Sequence, residues 1–347
     1  MPIEFSLGYS SRAVLHYPLE RRQALVRLAE DLGFDILWHS NERFYRDAWV
    51  NMTMSAMLTS RIRLGVAIVD PYAVHPALTA LSLASFDEVA RGRAVLGIGA
   101  GGSGFPAMGI ARPRPARAIR EAIEIIRRCL SGERVDYAGE VLRFEGAQLR
   151  YTSRADVPIY VGTRGKAVLR MAGEVADGVL IATYATPPGV EYALGLVERG
   201  ARRAGRRLED LHVISRVDTC ILPDRQAARD AVKQMIAFLL WLSYPDRDFV
   251  NQVGLRVPEA LEAVIARRDY DAMYGAAHLV PEEFVDAFAW AGTPADVAEQ
   301  IARVVRLGVR AVGCWLLVPP GHDIEPSVRA LAEQVRPRVA ALAGDPA

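Results

Sequence analysis

The chain has 347 residues, enough to bury a large core in one barrel or in two domains. Of these residues 51% are hydrophobic and 24% are charged, and 42 Lys and Arg against 41 Asp and Glu leave a formal net charge of +1. Because no strong overall field would draw such a chain to nucleic acid or to a membrane surface, we expect its partners to be small organic molecules.

The N-terminal residues and the cysteines indicate where the protein works. Residues 1–6 lack the basic segment and apolar stretch of a signal peptide, and no uncharged apolar run is long enough to span a bilayer. We therefore expect a cytoplasmic protein with no membrane partner. Cys129, Cys220 and Cys314 have no C-x-x-C spacing, which disfavours a disulfide framework or a zinc site and favours three small buried side chains.

Hydrophobic periodicity in the first part of the chain predicts strands and helices in strict alternation. Strands are predicted at 3–8, 34–38, 62–68 and 93–98. Helices are predicted at 19–32, 48–58, 76–89 and 116–130. Gly33 ends the first of these helices, and Asp47 is placed to cap the second.

The alternation resumes after an insertion at about 133–157, which contains a short hairpin turning at Ala138-Gly139. Further strands are predicted at 158–161, 178–181, 211–222 and 311–317. Helices are predicted at 167–175, 190–204, 294–307 and 325–342. Thr293-Pro294 carries the signature of an N-cap followed by a first-turn proline. A second insertion, at about 225–290, is mostly helical in pattern.

Eight strands alternating with helices predict a single α/β domain over residues 1–347. The predicted fold is a closed (β/α)8 TIM barrel with insertions after strands 4 and 7. An open doubly wound sheet is the alternative, but it would leave two sheet edges that a barrel does not have. Because barrels carry their function at the carboxyl ends of the strands, the residues that follow each strand are the candidates for a site.

The segment from Gly97 to Gly102 follows the fourth strand and fits the G-x-G-x-x-G letters of a dinucleotide-binding turn. In a Rossmann unit the last glycine opens a helix, whereas here Gly102 runs into Ser103-Gly104-Phe105-Pro106. We therefore predict no helix before about Ala116. The glycines are interpreted as removing side chains where a flat ring approaches the backbone.

The second strand is followed by His39-Ser40-Asn41-Glu42-Arg43, a cluster of ionisable and hydrogen-bonding groups. A carboxylate and an imidazole at a strand end can be tuned for proton transfer. The alternative is a set of solvated loop residues. His75, just before the third helix, is interpreted as a surface residue at the helix start in preference to a catalytic one.

The fifth strand is followed by Gly162-Thr163-Arg164-Gly165-Lys166, and the next helix starts at once. Backbone amides at that helix N-terminus, the Thr163 hydroxyl and the cations Arg164 and Lys166 could together hold an anion. Barrels commonly place a phosphate site at their later strands. The alternative is a tight turn with two solvated cations.

Several segments, taken in order, resemble the bacterial luciferase-like superfamily of flavin- and F420-dependent oxidoreductases. They are 33–38, 63–66 with His75-Pro76, 92–101, 158–162, 172–179 and Gly292-Thr293-Pro294. The chain is most similar to the branch that uses the deazaflavin coenzyme F420. That branch includes methylenetetrahydromethanopterin reductase and F420-dependent glucose-6-phosphate dehydrogenase.

The resemblance implies a (β/α)8 barrel, generally a homodimer, with the deazaflavin lying across the carboxyl ends of the strands. It implies a non-prolyl cis peptide bond between Ala67 and Ile68, which forms a bulge behind the ring. It also implies further cofactor contacts. These are Ala100 and Gly101 along the ring or its side chain, and Gly162, Thr163, Arg164 and Gly165 at the phosphate.

This chain departs from the family pattern at the second strand. The F420 branch usually has Asp-His there, where this chain has Asn41-Glu42. The dehydrogenase has a glutamate after the strand-four glycines, where this chain has Gly102. The substrate of either named relative is therefore not implied.

The leading hypothesis is an F420-dependent oxidoreductase that moves a hydride between C5 of the deazaflavin and an organic substrate. Ser40 and Asn41 would contact the ring, with Glu42 as the acid or base and His39 as a second candidate. The insertion at 225–290 would wall the substrate pocket. The alternatives are an FMN-dependent luciferase-like monooxygenase and a non-catalytic F420-binding protein.

Overall fold

A parallel β-barrel organises the computed structural model, which describes residues 2–102 and 104–344. Its strands are β1 (Glu4–Tyr9), β2 (Ile36–Ser40), β3 (Arg63–Val69), β4 (Ala94–Ile98), β5 (Val135–Ala138), β6 (Arg143–Ala147), β7 (Ile159–Thr163), β8 (Gly178–Ala182), β9 (His212–Ile221), β10 (Ala289–Gly292) and β11 (Ala311–Leu316). Within the described ranges, eight of them close in the order β1-β2-β3-β4-β7-β8-β9-β11, and β11 pairs back to β1. The predicted (β/α)8 fold is confirmed and an open sheet is excluded.

Helices cover the outside of the barrel. They are α1 (Leu19–Asp31), α2 (Ala48–Leu58), α3 (Pro76–Ala90), α4 (Phe105–Met108), α5 (Pro115–Leu130), α6 (Lys166–Val175), α7 (Pro187–Arg203), α8 (Arg225–Ser243), α9 (Asp248–Asn251), α10 (Glu259–Ala266), α11 (Tyr270–Gly275), α12 (Glu282–Phe288), α13 (Pro294–Val305), α14 (Glu325–Ala330) and α15 (Arg336–Ala343). Met1, Ser103 and residues 345–347, which belong to the predicted domain, lie outside the described residues. No helix in the described part is both long and apolar enough to cross a bilayer.

Alternation along the strands separates two cores. Trp38 of β2 points into the barrel, where its ring lies 5.6 Å from that of Tyr160 and 6.3 Å from that of Trp315. Leu37, the preceding residue, packs in the larger core between the barrel and the helices. A Cβ on Gly65 would lie 2.4 Å from the Trp38 ring, so glycine there makes room for the tryptophan. The barrel is thus a filled core, and its open end is left for function.

The first insertion is a hairpin, as predicted. Strands β5 and β6 are antiparallel, and Tyr137 pairs with Phe144. The hairpin also explains His75, whose Nδ1 accepts from the Ala77 N–H at 3.2 Å and whose Nε2 lies 3.0 Å from the Arg143 carbonyl oxygen. His75 therefore caps helix α3 and docks the hairpin, in agreement with its interpretation as a helix-start residue.

The second insertion is mostly helical, as predicted, but its last two residues, Ala289 and Trp290, belong to a strand. Residues Ala289–Gly292 form β10, which pairs in parallel with the last residues of β9. A strand of four apolar residues is too short to show an alternation that would distinguish it from the end of a buried helix.

The prediction that no helix begins before Ala116 is also wrong. Helix α4 makes one turn from Phe105, and α5 begins at Pro115. Pro106 lies in the first turn of α4, where the missing N–H has no intrahelical partner to lose. Gly104 and Gly109, at the two ends of α4, both have positive φ.

The predicted last helix, at 325–342, is interrupted. A π-helical stretch, Leu331–Val335, separates α14 from α15. Pro337, the second residue of α15, has no N–H to continue the ladder of helical hydrogen bonds.

The predicted caps and the buried cysteines are confirmed. The side chains of Asp47 and Thr293 accept hydrogen bonds from the Val50 and Asp296 N–H groups. The three free cysteines are buried. These local features follow from single residue types, which is why the sequence predicts them well.

Candidate functional site

A cleft of about 280 Å³ opens at the carboxyl ends of the strands, the end of the barrel where a site was predicted. Seven of the predicted site residues line it, namely Ser40, Asn41, Glu42, Ala67, Ile68, Gly101 and Arg164. Met235, Phe238 and Leu242 of α8 add an apolar wall. The second insertion therefore does wall this cleft.

The peptide bond between Ala67 and Ile68 is cis, as the resemblance implied. Asn41 holds both residues: its backbone N–H donates to the Ala67 carbonyl at 3.1 Å, and its Nδ2 donates to the Ile68 carbonyl at 3.0 Å. A Cβ on Gly99 would lie 2.2 Å from the Ile68 side chain, and one on Gly162 would lie 2.8 Å from it. These glycines therefore make room for Ile68, which in turn lines the cleft.

Gly101 is required by its own loop. Its φ is +64°, and a Cβ there would lie 2.6 Å from the Phe105 ring. The close approach of the Phe105 side chain is a further reason for glycine at this position, and the contact of Gly101 with a flat ring stays a prediction. Ala100 beside it is half-buried and packs against the main core.

Glu42 is the carboxylate of the predicted catalytic cluster, and it lines the cleft. Burial raises its pKa above the usual 4.5, while a hydrogen bond from Ser11 and the charge of Arg12 act in the opposite direction. Ser40 beside the cluster donates to the Tyr9 carbonyl oxygen at 3.0 Å and accepts from the Trp315 indole at 3.4 Å. A carboxyl with a raised pKa can hold or release a proton closer to neutral pH than an exposed one.

His39 does not face the cleft. It lines a separate cavity between the barrel and helices α1 and α2, and it is not among the residues that line the cleft. Burial lowers its pKa to about 4. The structure therefore separates His39 from Glu42. No cluster of His, Cys, Asp or Glu in residues 2–102 and 104–344 is arranged to hold a metal ion.

Of the three side chains predicted to hold an anion, Arg164 lines the cleft, whereas Thr163 and Lys166 do not. The Arg164 side chain reaches the cleft, where it donates to the Ser243 hydroxyl and lies 5.1 Å over the Phe249 ring. Burial lowers its pKa to about 10. The Thr163 hydroxyl instead accepts the Gly165 N–H at 3.0 Å, and Lys166 is exposed at the start of α6.

Arg112 is a second cation in the cleft, and the sequence did not single it out. It donates to the Gly101 carbonyl oxygen at 2.9 Å, and its guanidinium lies 6.0 Å from the centre of the Phe105 ring. Neither Arg112 nor Arg164 forms an ion pair with any described residue. Their charges remain available to an anion in the cleft.

Two ion pairs in the cleft also escaped the sequence analysis. Arg43 pairs with Asp70, and Arg216 pairs with Asp218 through two hydrogen bonds of 3.0 and 2.9 Å. The Arg216 guanidinium lies 4.5 Å over the Trp315 ring. Arg216 and Asp218 are two residues apart in β9 and so share a face, which is the signal that could have revealed this pair.

Comparisons with known proteins agree with this architecture. The sequence model of the family described as luciferase-like monooxygenase matches residues 3–311. A 5,10-methylenetetrahydromethanopterin reductase from Archaeoglobus fulgidus is 34% identical over 323 residues, covering 90% of this chain and 94% of that one. An F420-dependent glucose-6-phosphate dehydrogenase from Nakamurella multipartita is 29% identical over 362 residues, covering 99% and 98%.

The same likeness appears among solved structures. The coenzyme F420-dependent tetrahydromethanopterin reductase from Methanopyrus kandleri superposes with a TM-score of 0.83 at 29% identity, covering 98% of this chain and 100% of that one. The match of the family model spans most of the chain and includes the strand ends that build the cleft. The chain therefore belongs to the luciferase-like monooxygenase family.

Proposed function

We propose that this protein is an F420-dependent oxidoreductase acting on a small organic substrate. The observation that carries the proposal is one cleft lined by the uncharged Ala67-Ile68 segment and by two arginines, Arg112 and Arg164, that form no ion pair within the described residues. The similarity to F420-dependent reductases and dehydrogenases supports it. A deazaflavin, when bound, supplies hydride transfer at C5 and reacts poorly with oxygen.

The residues present fit a flat ring that carries an anionic side chain. Ala67 and Ile68 offer a backbone wall without charge, against which a ring face can pack. Arg112 and Arg164 offer guanidinium donors whose partners in the protein are neutral oxygens, so that an anion would gain charge-assisted hydrogen bonds there. The other predicted contacts, Gly162, Thr163 and Gly165, support this site by shaping the loop that carries Arg164.

Glu42 is proposed as the group that holds or accepts a proton at the substrate. Its raised pKa, the Ser11 hydrogen bond and its place in the cleft suit that role. Asp218, another carboxylate in the cleft, is held by Arg216 through both oxygens and is better placed to position that arginine. Asn41 supports the bulge by donating hydrogen bonds to it, and its side-chain oxygen can accept a hydrogen bond from a ligand.

We further propose that the protein is a homodimer in the cytoplasm. The neighbouring helices α2 and α3 expose apolar side chains that a second copy would cover: Val50 (69% exposed), Met57 (75%), Leu78 and Leu81. The three cysteines form no disulfide within the described residues, in keeping with a reducing compartment.

Side-by-side fluorescence titration with F420 and FMN tests the proposed cofactor. We expect F420 to bind with micromolar or tighter affinity and FMN to bind more weakly. Tight FMN binding with oxygen uptake in the presence of reduced FMN would instead support a monooxygenase. Tight F420 binding would support a non-catalytic binding protein if Glu42→Gln left the turnover of every tested substrate unchanged.

A further inference from the structure

A second cavity lies behind β2, between the barrel wall and helices α1 and α2. Its volume is about 80 Å³. Because about 10–15 Å³ of such volume holds one water molecule, the cavity can accommodate a molecule of a few non-hydrogen atoms. Its lining combines apolar side chains with polar and cationic ones, and the apolar ones include Val14, Leu25, Val26 and Met54.

The cations of this cavity are bonded to neutral groups. Arg22 donates from Nη1 to Asn51 Oδ1 at 2.8 Å, and its buried Nε has no partner among the described residues. Arg46 reaches the backbone carbonyl oxygens of Val14 and Tyr17 only at 3.4 and 3.5 Å. No Asp or Glu of the described chain lines the cavity.

The charges of the two arginines add to one another. Burial, and then the charge of Arg46, lower the pKa of Arg22, against a small opposing effect of the exposed Glu20. The cavity therefore concentrates positive charge in a partly desolvated space, where an anion is bound more strongly than in water.

His39 adds a further polar group. Its Nε2 is buried and has no hydrogen-bond partner among the described residues. Because burial keeps the pKa of the imidazole near 4, the ring is neutral at physiological pH and offers one donor and one acceptor. Tyr45 supplies a hydroxyl at the same cavity.

We propose that this cavity binds a short-chain aliphatic carboxylate. The carboxylate group accepts hydrogen bonds from Arg22 and Arg46, and the alkyl group packs against Leu25, Val26 and Met54. Charge alone would suit any small anion, but the apolar part of the lining favours one that carries a few methyl or methylene groups. This proposal does not depend on which cofactor occupies the cleft.

The cavity and the cleft share a wall. Ser11 and Ser40 line both, and Ser11 is near enough to Glu42 to lower the pKa of that carboxyl. An occupant of the cavity would therefore lie beside the residue that supports the proposed proton-transfer group.

Thermal unfolding of the full chain, at constant ionic strength with chloride as the balancing anion, tests the proposal. Acetate, propionate, butyrate and inorganic phosphate are titrated separately. We expect propionate or butyrate to stabilise the wild type saturably, because a ligand that binds only the folded state raises its stability. Arg22→Gln and the exposed Arg46→Gln should each weaken this binding about tenfold or more, because a charge-assisted hydrogen bond is lost.

Two control variants separate this cavity from other anion sites. Arg27→Gln changes an exposed arginine on the same helix and should leave the binding unchanged. Arg164→Gln removes a cation of the cleft and should also leave it unchanged. The proposal is overturned if no carboxylate stabilises saturably, if phosphate stabilises more than the carboxylates, or if Arg164→Gln abolishes the effect while Arg22→Gln and Arg46→Gln retain it.

Discussion

Asn41 donates from Nδ2 to the carbonyl oxygen of Ile68 at 3.0 Å, so a residue that departs from the family pattern supports the cis bulge in the cleft. Its backbone N–H donates to the Ala67 carbonyl oxygen at 3.1 Å. One residue thus satisfies the carbonyl groups on both sides of the bulge. The sequence predicted Asn41 as a ligand contact, and the structure gives it a positioning role as well.

Asn41→Ala should lower the free energy of unfolding by about 1–3 kcal/mol, because the half-buried Ile68 carbonyl loses its side-chain donor. We also expect F420 to bind more weakly, since the bulge forms one wall of the cleft. Urea denaturation and fluorescence titration measure the two effects. Asn251→Ala, at an exposed position, serves as a control and should change stability by less than about 0.5 kcal/mol. Equal effects of the two substitutions would contradict the positioning role.

Arg164→Gln should weaken F420 binding by about 1.5–3 kcal/mol, a factor of roughly 10 to 150, because a charge-assisted hydrogen bond to an anion is lost. Lys166→Gln removes a neighbouring charge that is exposed on α6 and should have little effect. The sequence treats these two cations alike, whereas the structure separates them. Equal losses for both variants would indicate long-range attraction in place of a direct contact.

The sequence predicts the barrel because the strands, helices and caps that build it depend on residues close together in the chain. Alternating periodicities mark each βα unit, and the caps Asp47, His75 and Thr293 depend only on the residues that follow them. The cis Ala67-Ile68 bond was predicted from the family resemblance, since the local pattern alone reads as an ordinary strand.

Much of the site depends on contacts between distant segments. Gly99 and Gly162 are glycines because the side chain of Ile68 from another strand fills the space beside them. Arg112 enters the cleft from the loop between α4 and α5, and the sequence did not predict α4. His39 looks equivalent to Glu42 in the sequence, and only the direction of β2 shows that it points to the other side of the sheet.

Glu42→Gln should reduce turnover while stabilising the protein at neutral pH. The folded-state pKa of Glu42 is raised above 4.5, so its stabilising contribution is complete below 4.5 and is lost as the pH rises through the raised value. At pH 7 the wild type therefore carries the cost of burying a carboxyl group that is ionised in the unfolded chain, and glutamine removes that cost. Chemical denaturation of both proteins from pH 4 to pH 8 tests this expectation, and a wild type that is the more stable at pH 7 would contradict it.

Glu4 should stabilise the opposite end of the barrel in a pH-dependent manner. A hydrogen bond from His212 and the charge of Arg63 hold its pKa at about 2, against the opposing effect of burial. The contribution is present above the unfolded value of 4.5 and is lost as the pH falls towards 2.

Glu4→Gln tests this contribution without touching the cleft. We expect a loss of about 1 kcal/mol or less at pH 7, since more than a third of the side chain is exposed to solvent. The difference from the wild type should shrink in acid below pH 4.5, and F420 affinity should stay unchanged. A pH-independent difference in unfolding free energy would show that packing, not charge, is responsible.

Met57→Glu should convert a homodimer into a monomer, because it places a charge on the exposed apolar face of α2 and α3. Sedimentation velocity at several protein concentrations measures the association. Leu342→Glu provides a matched control, since Leu342 is also an exposed hydrophobic residue but lies on α15, away from that face. If the wild type is monomeric at high concentration, or if Leu342→Glu dissociates the dimer while Met57→Glu does not, a second copy does not cover α2 and α3.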